Sequence, residues 1–483
     1  MFSNKKLAVA VSGAVLLMAG QFALADSTTD IVDALVSKGV LTEEEGKLIS
    51  KGAKSQKEAQ DKAIKGKLSI SGALENATLY GDIRARYERR SIDVASDSFK
   101  NYESNRPRYK VTLGIETKSG DWYTDLAMAM SSNGRSDNTT FGDSGSGNVF
   151  GTADYGMGAK DKSALYVKRA TVGWNATDWL AIEAGRMKNP LYMVNSMVFD
   201  HDIVMEGAQE KLKYKFGDTT LFGNFGQWLY SGRGIQSIDG SVTVGRQNMI
   251  LAFQGGLEQA FNESLSGKAA VGWLDYTGNN SDGKNSTPGA TNFLPIAGNS
   301  AAVATITDAQ KAVNDLSIVD FVGEFNYMVT PGIGVKPYAE YAYNTSAGAR
   351  QRAAEAAGLT AGLSKDDSAW LVGISVGSAK DLKSFAGKKM AKGDWNANLW
   401  YQSIGTYALD QNAIDTDIFD ARLNMEGTTF KGQYNVADNV MLNFTGAWAD
   451  RKNSQYGTTY SNADIAKNGT KYELYQFDVT YKF

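Results

Sequence analysis

The chain has 483 residues, with 51 glycines, six prolines, no cysteine, 11% aromatic side chains and a formal net charge of −3. The lack of cysteine excludes disulfides and thiolate chemistry, and the mild acidic balance argues against a nucleic-acid partner, whose phosphates need a basic surface. Beyond residue 25 no apolar run approaches the ~18 residues of a membrane-spanning helix, while abundant aromatics and glycines with little proline suit a large all-β protein.

Residues 1–25 open with Lys5 and Lys6, continue apolar from Leu7 to Met18 and close on Ala23-Leu24-Ala25. A basic start, a short apolar stretch and a small-x-small end are the pattern of a cleaved export signal. Without it, 48 basic side chains face 53 acidic ones. Residues 26–66 differ from everything that follows. Ile31, Val32, Leu35 and Val36 fall at helical spacing, Gly39 interrupts, and Thr42 with Glu45 forms a capping box ahead of Leu48 and Ile49. A periplasmic helical segment is expected there, either loosely ordered or attached to a partner.

The remainder, 67–483, alternates. In "LYGDIRARYERR", Leu79, Gly81, Ile83, Ala85 and Tyr87 share one face, and Tyr80, Asp82, Arg84, Arg86 and Glu88 the other. Period two of this kind is a β-strand with one apolar and one polar side. It recurs at Tyr109–Ile115, Leu212–Phe216, Met249–Phe253, Val319–Tyr327, Val335–Tyr343, Trp370–Val376, Trp395–Tyr401 and Val440–Trp448. Further strands are visible near 164–175, 179–187, 219–230 and 265–277, with ambiguous facing. About sixteen strands are expected, within a range of 14 to 18.

The connections are sorted by length. Short ones such as "KSGD", "NATD", "GDTT", "TPGIG" and "VADN" alternate with long polar ones near 91–105, 131–162, 188–206, 231–245, 278–315, 346–367, 408–420 and 451–471. An even number of strands with short turns at one end and long loops at the other is the pattern of a transmembrane antiparallel β-barrel of the bacterial outer membrane. The lipid bilayer is then the partner of the apolar face. Trp122, Trp174, Trp179, Trp228 and Trp273 fall near strand ends, as interfacial girdles require. The last strand carries Phe477, Val479, Tyr481 and Phe483 on its apolar face, an ending that resembles the signature read by the barrel-assembly machinery of Gram-negative outer membranes.

Three stretches carry a family resemblance: residues 81–90, "NRPRYKVTLGIETKSGDWYTDLAMAMSSNG" (105–134), and 172–214, where Gly185 to Pro190 leads to Phe199-Asp200-His201-Asp202 and then Glu206-Gly207. They resemble the "putative porin" family of Gram-negative outer membranes, and "LVSKGVLTEEE" is similar to the start of the phosphate-selective porins O and P. The resemblance implies passive diffusion of ions and small hydrophilic solutes through a water-filled barrel, commonly a homotrimer, with the third external loop folded inward. Lys188, Asp200, His201, Asp202 and Glu206 are then candidates for the constriction, facing wall charges Arg84, Arg86, Lys110 and Arg186. Rings of side-chain charge are how such pores choose ions. Lys211, Lys213 and Lys215 share one strand face and read either as an anion ladder or as the ordinary wet side of the strand.

No enzyme, metal site or cofactor is expected. His201 is the only histidine, and Ser196 nearby lacks a positioned third group. The Asp-rich stretches "NSDG" and "SDNTTFGDSGSGN" suit calcium or plain solvation. The competing functional reading is a structural barrel that links envelope layers or partners through its amino-terminal segment.

Overall fold

The computed structural model describes residues 42, 44, 76–94, 102–131, 137–141, 164–231, 236–238, 241–243, 248–277, 316–356, 366–378, 391–410, 413–415, 417–419, 422–453 and 469–483. The expected export signal, the helical segment 26–66 apart from Thr42 and Glu44, the "NSDG" stretch and most of the other Asp-rich loop lie outside the described residues.

The strands are β1 (Asn76–Val94), β2 (Tyr102–Ser119), β3 (Trp122–Ser131), β4 (Thr139–Thr140), β5 (Ala164–Thr177), β6 (Leu180–Lys188), β7 (Val204–Phe216), β8 (Thr219–Ser231), β9 (Gln236–Ile238) and β10 (Ser241–Thr243). They continue as β11 (Asn248–Ala260), β12 (Leu265–Tyr276), β13 (Ser317–Thr330), β14 (Ile333–Asn344), β15 (Ser368–Ser378), β16 (Trp395–Ile404), β17 (Met425–Ala437), β18 (Val440–Arg451) and β19 (Gly469–Lys482). β4, β9 and β10 are two or three residues long. The other sixteen pair antiparallel with their chain neighbours. β19 then pairs with β1, from Asp82 opposite Lys482 up to Val94 opposite Gly469, so the sheet closes without an edge. Closure satisfies every ladder position between strands, which a lipid environment demands.

The burial of the two faces is inverted relative to a water-soluble protein. Ile83, Leu113, Leu126, Val172, Leu257, Val372, Phe477 and Val479 are exposed large apolar side chains. Their strand neighbours Arg86, Thr112, Asp125, Thr171, Gln254, Gln476 and Asp478 are buried. The alternation was therefore read with the right phase: apolar outward, polar inward. Trp122 stacks on Trp174 with ring centroids 5.8 Å apart at the rim of the short turns, where amphipathic rings suit an interface.

Two expectations about connections change. The first loop is shorter than 91–105, because β1 runs to Val94 and β2 starts at Tyr102. The sixth carries a helix, α1 (Ala347–Ala356), where only loop was expected. Its Arg350 is fully buried and donates from Nη1 to the carbonyls of Tyr407 and Leu409 at 2.9 and 3.3 Å.

The apolar core lies inside the barrel, towards the long-loop end. Met197, Val198 and Phe199 from the third loop meet Trp228, Ile250 and Leu274 from the wall and Leu409, Ile414, Ile418 and Phe419 from the seventh. Two loops that solvent could have claimed are drawn in by about 1.5–3 kcal/mol for each large apolar side chain fully buried.

Candidate functional site

The route by which the third loop enters the lumen starts at two glycines. Gly185 on β6 and Gly207 on β7 face each other across the ladder, with φ of +114° and +143°. A Cβ at either would fall 2.1 Å from the carbonyl oxygen of Ala170 or 2.2 Å from that of Gln227. Only glycine fits such a backbone. β6 makes its last pairing with β5 at Arg186, and β7 its first with β8 at Gly207, yet β6 and β7 stay paired with each other as far as Lys188 and Val204. The hairpin thus parts from both neighbours at this row. The glycines of the "GRMKNP" and "EG" stretches are the positions where the departing hairpin and its neighbours come closest.

Residues 189–203 then touch both sides of the lumen. On one side Gln254 of β11 accepts from the Tyr192 N–H at 2.7 Å and donates to its carbonyl at 2.9 Å. On the other, Asp202 lies 3.1 Å from Lys110 of β2 and 3.6 Å from Lys168 of β5. Asp200 does not reach the wall: its carboxylate accepts the Asp202 N–H at 2.9 Å, and its own N–H donates to the Ala413 carbonyl at 2.7 Å. It shapes the turn that presents Asp202 and ties the third loop to the seventh.

The wall facing Asp202 is built from like charges. Arg84 stands opposite Lys110, and Arg86 opposite Arg108, in the β1–β2 register. Like charges directly across a ladder are destabilising, so this wall needs acids from elsewhere. Asp478 of β19 receives Arg86 through both oxygens, at 2.7 and 2.9 Å. Asp417 of the seventh loop accepts Arg86 at 2.7 Å and lies 3.8 Å from Arg108. Asp137 of the second loop is 3.1 Å from Lys110 and bonds Lys168. Glu88 is fully buried and gathers Arg90, Arg106 and Arg108. The strands supply the cations, and three loops supply much of the counter-charge.

Burial opposes the charge on Asp202, but Lys110, Lys168 and Arg84 together hold its carboxyl well below the usual carboxylate range. Burial likewise opposes Asp417, and Arg86, Arg84 and Arg108 overcome it. Both loop acids are anionic across ordinary pH. His201, beside Asp202, presents its ring to lumenal water deep within the barrel. The surrounding protein and the charge of Lys431 push its imidazole down to about 4.

Of the residues expected from sequence, Arg84, Arg86, Lys110 and Asp202 meet in this cluster, with His201 and Asp200 beside it. Lys188 lies instead 3.2 Å from both Glu116 and Asp125, and Glu206 bonds Arg186. The reason is that β6 extends through Lys188 and β7 starts at Val204, so the inward loop is 189–203, not 188–206. Lys211 pairs with Glu183 at 2.5 Å. Lys213 and Lys215 have no carboxylate within 4.0 Å among the described residues. Phe477, Val479, Tyr481 and Phe483 are exposed on the outer face, and Phe483 exchanges two backbone hydrogen bonds with Gly81, at 2.9 and 3.0 Å.

Sequence reading missed Asp417, Asp137, Lys168, Arg108 and Asp478. Asp478 was visible as a polar position of the last strand. Lys168 was hidden by a register shift opposite Ala127 and Met128, which leaves Lys168 and its neighbour Arg169 both buried. For Asp417 the available signal was Ile414, Ile418 and Phe419, too apolar for a loop that stays in water.

A family described as "Putative porin" matches residues 95–311. The comparison with curated proteins finds no match. Among solved structures the chain is similar to the outer membrane channel DcaP of Acinetobacter baumannii, at 13% identity and a TM-score of 0.39, covering 86% of this chain and 99% of that one. It is also similar to Salmonella typhi OmpF in complex with daunomycin, at 10% identity and 0.43, covering 86% and 99%. A third is the anion-selective porin from Comamonas acidovorans, at 10% identity and 0.42, covering 84% and 99%.

Proposed function

We propose, from the premise that residues 95–311 place the chain in the family described as "Putative porin", that it is an outer-membrane channel through which ions and small hydrophilic solutes diffuse passively. One observation carries the reading: a closed barrel, apolar outside and charged inside, whose cationic wall meets Asp202 and Asp417 from loops folded inward. The narrow passage lies where these loops approach β1, β2 and β5, and the solute passes between fixed charges of both signs. Selectivity is set there, because unpaired charge elsewhere in a wide lumen is screened over about 8 Å at physiological salt. Homotrimeric assembly and a cleaved export signal belong to the same proposal.

The experiment is single-channel recording in a planar bilayer under a salt gradient. Discrete, ohmic steps with a defined reversal potential are expected. A folded, inserted protein that never conducts would leave the barrel a structural role.

Two further outcomes are expected of the same preparation. Between pH 7 and pH 5 the reversal potential should stay flat. Asp202 and Asp417, with depressed folded values, keep their charge until pH falls far below the ordinary carboxylate range, and His201 gains a proton only near pH 4. A step near pH 6.5 that His201→Gln abolishes would show an imidazole with its ordinary affinity for protons. A chain lacking residues 26–66, with residues 1–25 kept, should insert and conduct as the full chain does, because the barrel strands begin only at Asn76. Insertion with loss of conductance would make that segment part of the pore.

A further inference from the structure

Below the third loop, on the side of the short turns, the lumen holds a cavity of about 410 Å³ lined by Lys213, Lys268, Tyr192, Phe222, Asn224 and Glu258. Its cations are arranged unlike those of the Asp202 wall. Lys268 stands directly opposite Glu258 in the β11–β12 register, a position that invites a cross-strand ion pair. Its ammonium nevertheless lies over two aromatic rings, 4.2 Å from the Tyr192 centroid and 4.7 Å from that of Phe222. Lys213, next to Phe222 across the β7–β8 ladder, lines the same space. Neither ammonium has a carboxylate within 4.0 Å among the described residues.

Both rings are held. Tyr192 is fixed by the two-way hydrogen bond between its backbone and Gln254. Phe222 covers Gly256, where a Cβ would come within 2.3 Å of the ring. The rings meet edge to face, with centroids 6.0 Å apart. The cavity therefore offers two uncompensated ammonium groups beside a fixed aromatic corner. Elsewhere in the lumen each wall cation of the narrow passage already has its acid.

We propose that this cavity is a binding subsite for a small organic anion with a planar apolar body, of the aromatic monocarboxylate class. The carboxylate sits between Lys213 and Lys268, and the ring packs on Phe222 and Tyr192. Charge-assisted hydrogen bonds to two ammonium groups supply the attraction, and the aromatic corner separates such a solute from acetate or chloride. Glu258 limits net positive charge, so the subsite holds a monoanion weakly enough to release it, as conduction requires. Use of the subsite by a permeating solute rests on the channel reading; binding itself does not.

The test is calorimetric titration of the full, detergent-folded chain with benzoate, and with acetate as the comparison. Saturable millimolar binding of benzoate is expected, with acetate several-fold weaker. Lys213→Gln and Lys268→Gln should each weaken benzoate by about tenfold, while Lys268→Arg, which keeps the charge, binds within a few-fold of the parent. Heat-dependent mobility on gels confirms that each variant is a folded barrel. Absence of benzoate binding, equal binding of acetate, or folded Lys→Gln variants that bind as the parent would each overturn the subsite. Conductance of the same protein is read separately, so a failed channel and a failed subsite give different results.

Discussion

Asp202→Asn combined with Asp417→Asn should carry the reversal potential strongly toward anions. Asp202 is held by Lys110 and Lys168, and Asp417 by Arg86 with Arg108 close by, so the double change uncovers four cations in the narrowest part of the lumen. At ~4 Å and an effective dielectric constant of ~20, each such pair is worth about 4 kcal/mol before solvation offsets it. A residue of only ~1.4 kcal/mol acting on a passing ion changes the permeability ratio about tenfold. Neutralising Lys211, Lys213 and Lys215 to Gln should move the ratio the other way and by less, since Lys211 is already paired with Glu183 and the strand lies in a wider vestibule. Glu206→Gln should do little, because Glu206 serves Arg186 rather than the cluster. A larger shift from the three lysines than from the two loop acids would refute the placement of the selective ring.

The second large effect is expected at Phe483. Phe483→Asp should lose most of the folded barrel, read as heat-modifiable protein in the outer-membrane fraction. The Phe483 N–H donates to the Gly81 carbonyl and its own carbonyl accepts from the Gly81 N–H, so this residue takes part in sealing β19 to β1. Its ring lies where a Cβ on Gly81 would be, within 2.6 Å, and so roofs the one small residue in that row. Asp replaces that cover with a charge on the outer face beside Tyr481 and Phe477, where the barrel meets lipid. It also removes the final aromatic of the pattern that resembles an assembly signature. Wild-type yield of inserted Phe483→Asp protein would show that the ring is dispensable. Phe483→Tyr, which retains the cover, should fold normally.

The fold was legible because lipid and lumen impose a strict two-residue alternation on every strand, and "LYGDIRARYERR" shows it without interruption. Strand number followed from the same signal joined to turn spacing. The site was legible only in part. Arg84, Arg86 and Lys110 lie on regular strands, so their facing could be read; Asp202 was reached through family resemblance and loop order. Lys168 sits at a register shift, where alternation fails by one residue. Asp417 has no periodicity to report it, and its partner Arg86 lies 331 residues away in the chain. Lys188 and Glu206 were misassigned because a polar loop and the last turns of amphipathic strands have the same composition. Nothing local in sequence marks the row at Gly185 and Gly207 where the hairpin leaves the wall; that requires knowing which neighbours stop pairing.

The apolar cluster inside the mouth, where Phe199 packs edge to face on Trp228 at 6.4 Å and Ile414 and Ile418 are buried with them, gives the loops a second kind of attachment. The two kinds answer to opposite conditions. Added salt screens the more exposed ion pairs, whereas strongly hydrated salts tighten apolar contacts and cooling weakens them. Loops held by both should therefore be least tightly seated in cold, dilute media for the apolar part and in warm, concentrated media for the charged part. Between those extremes one attachment compensates for the other, and the width of the mouth is buffered against the changing temperature and salinity that an outer membrane faces.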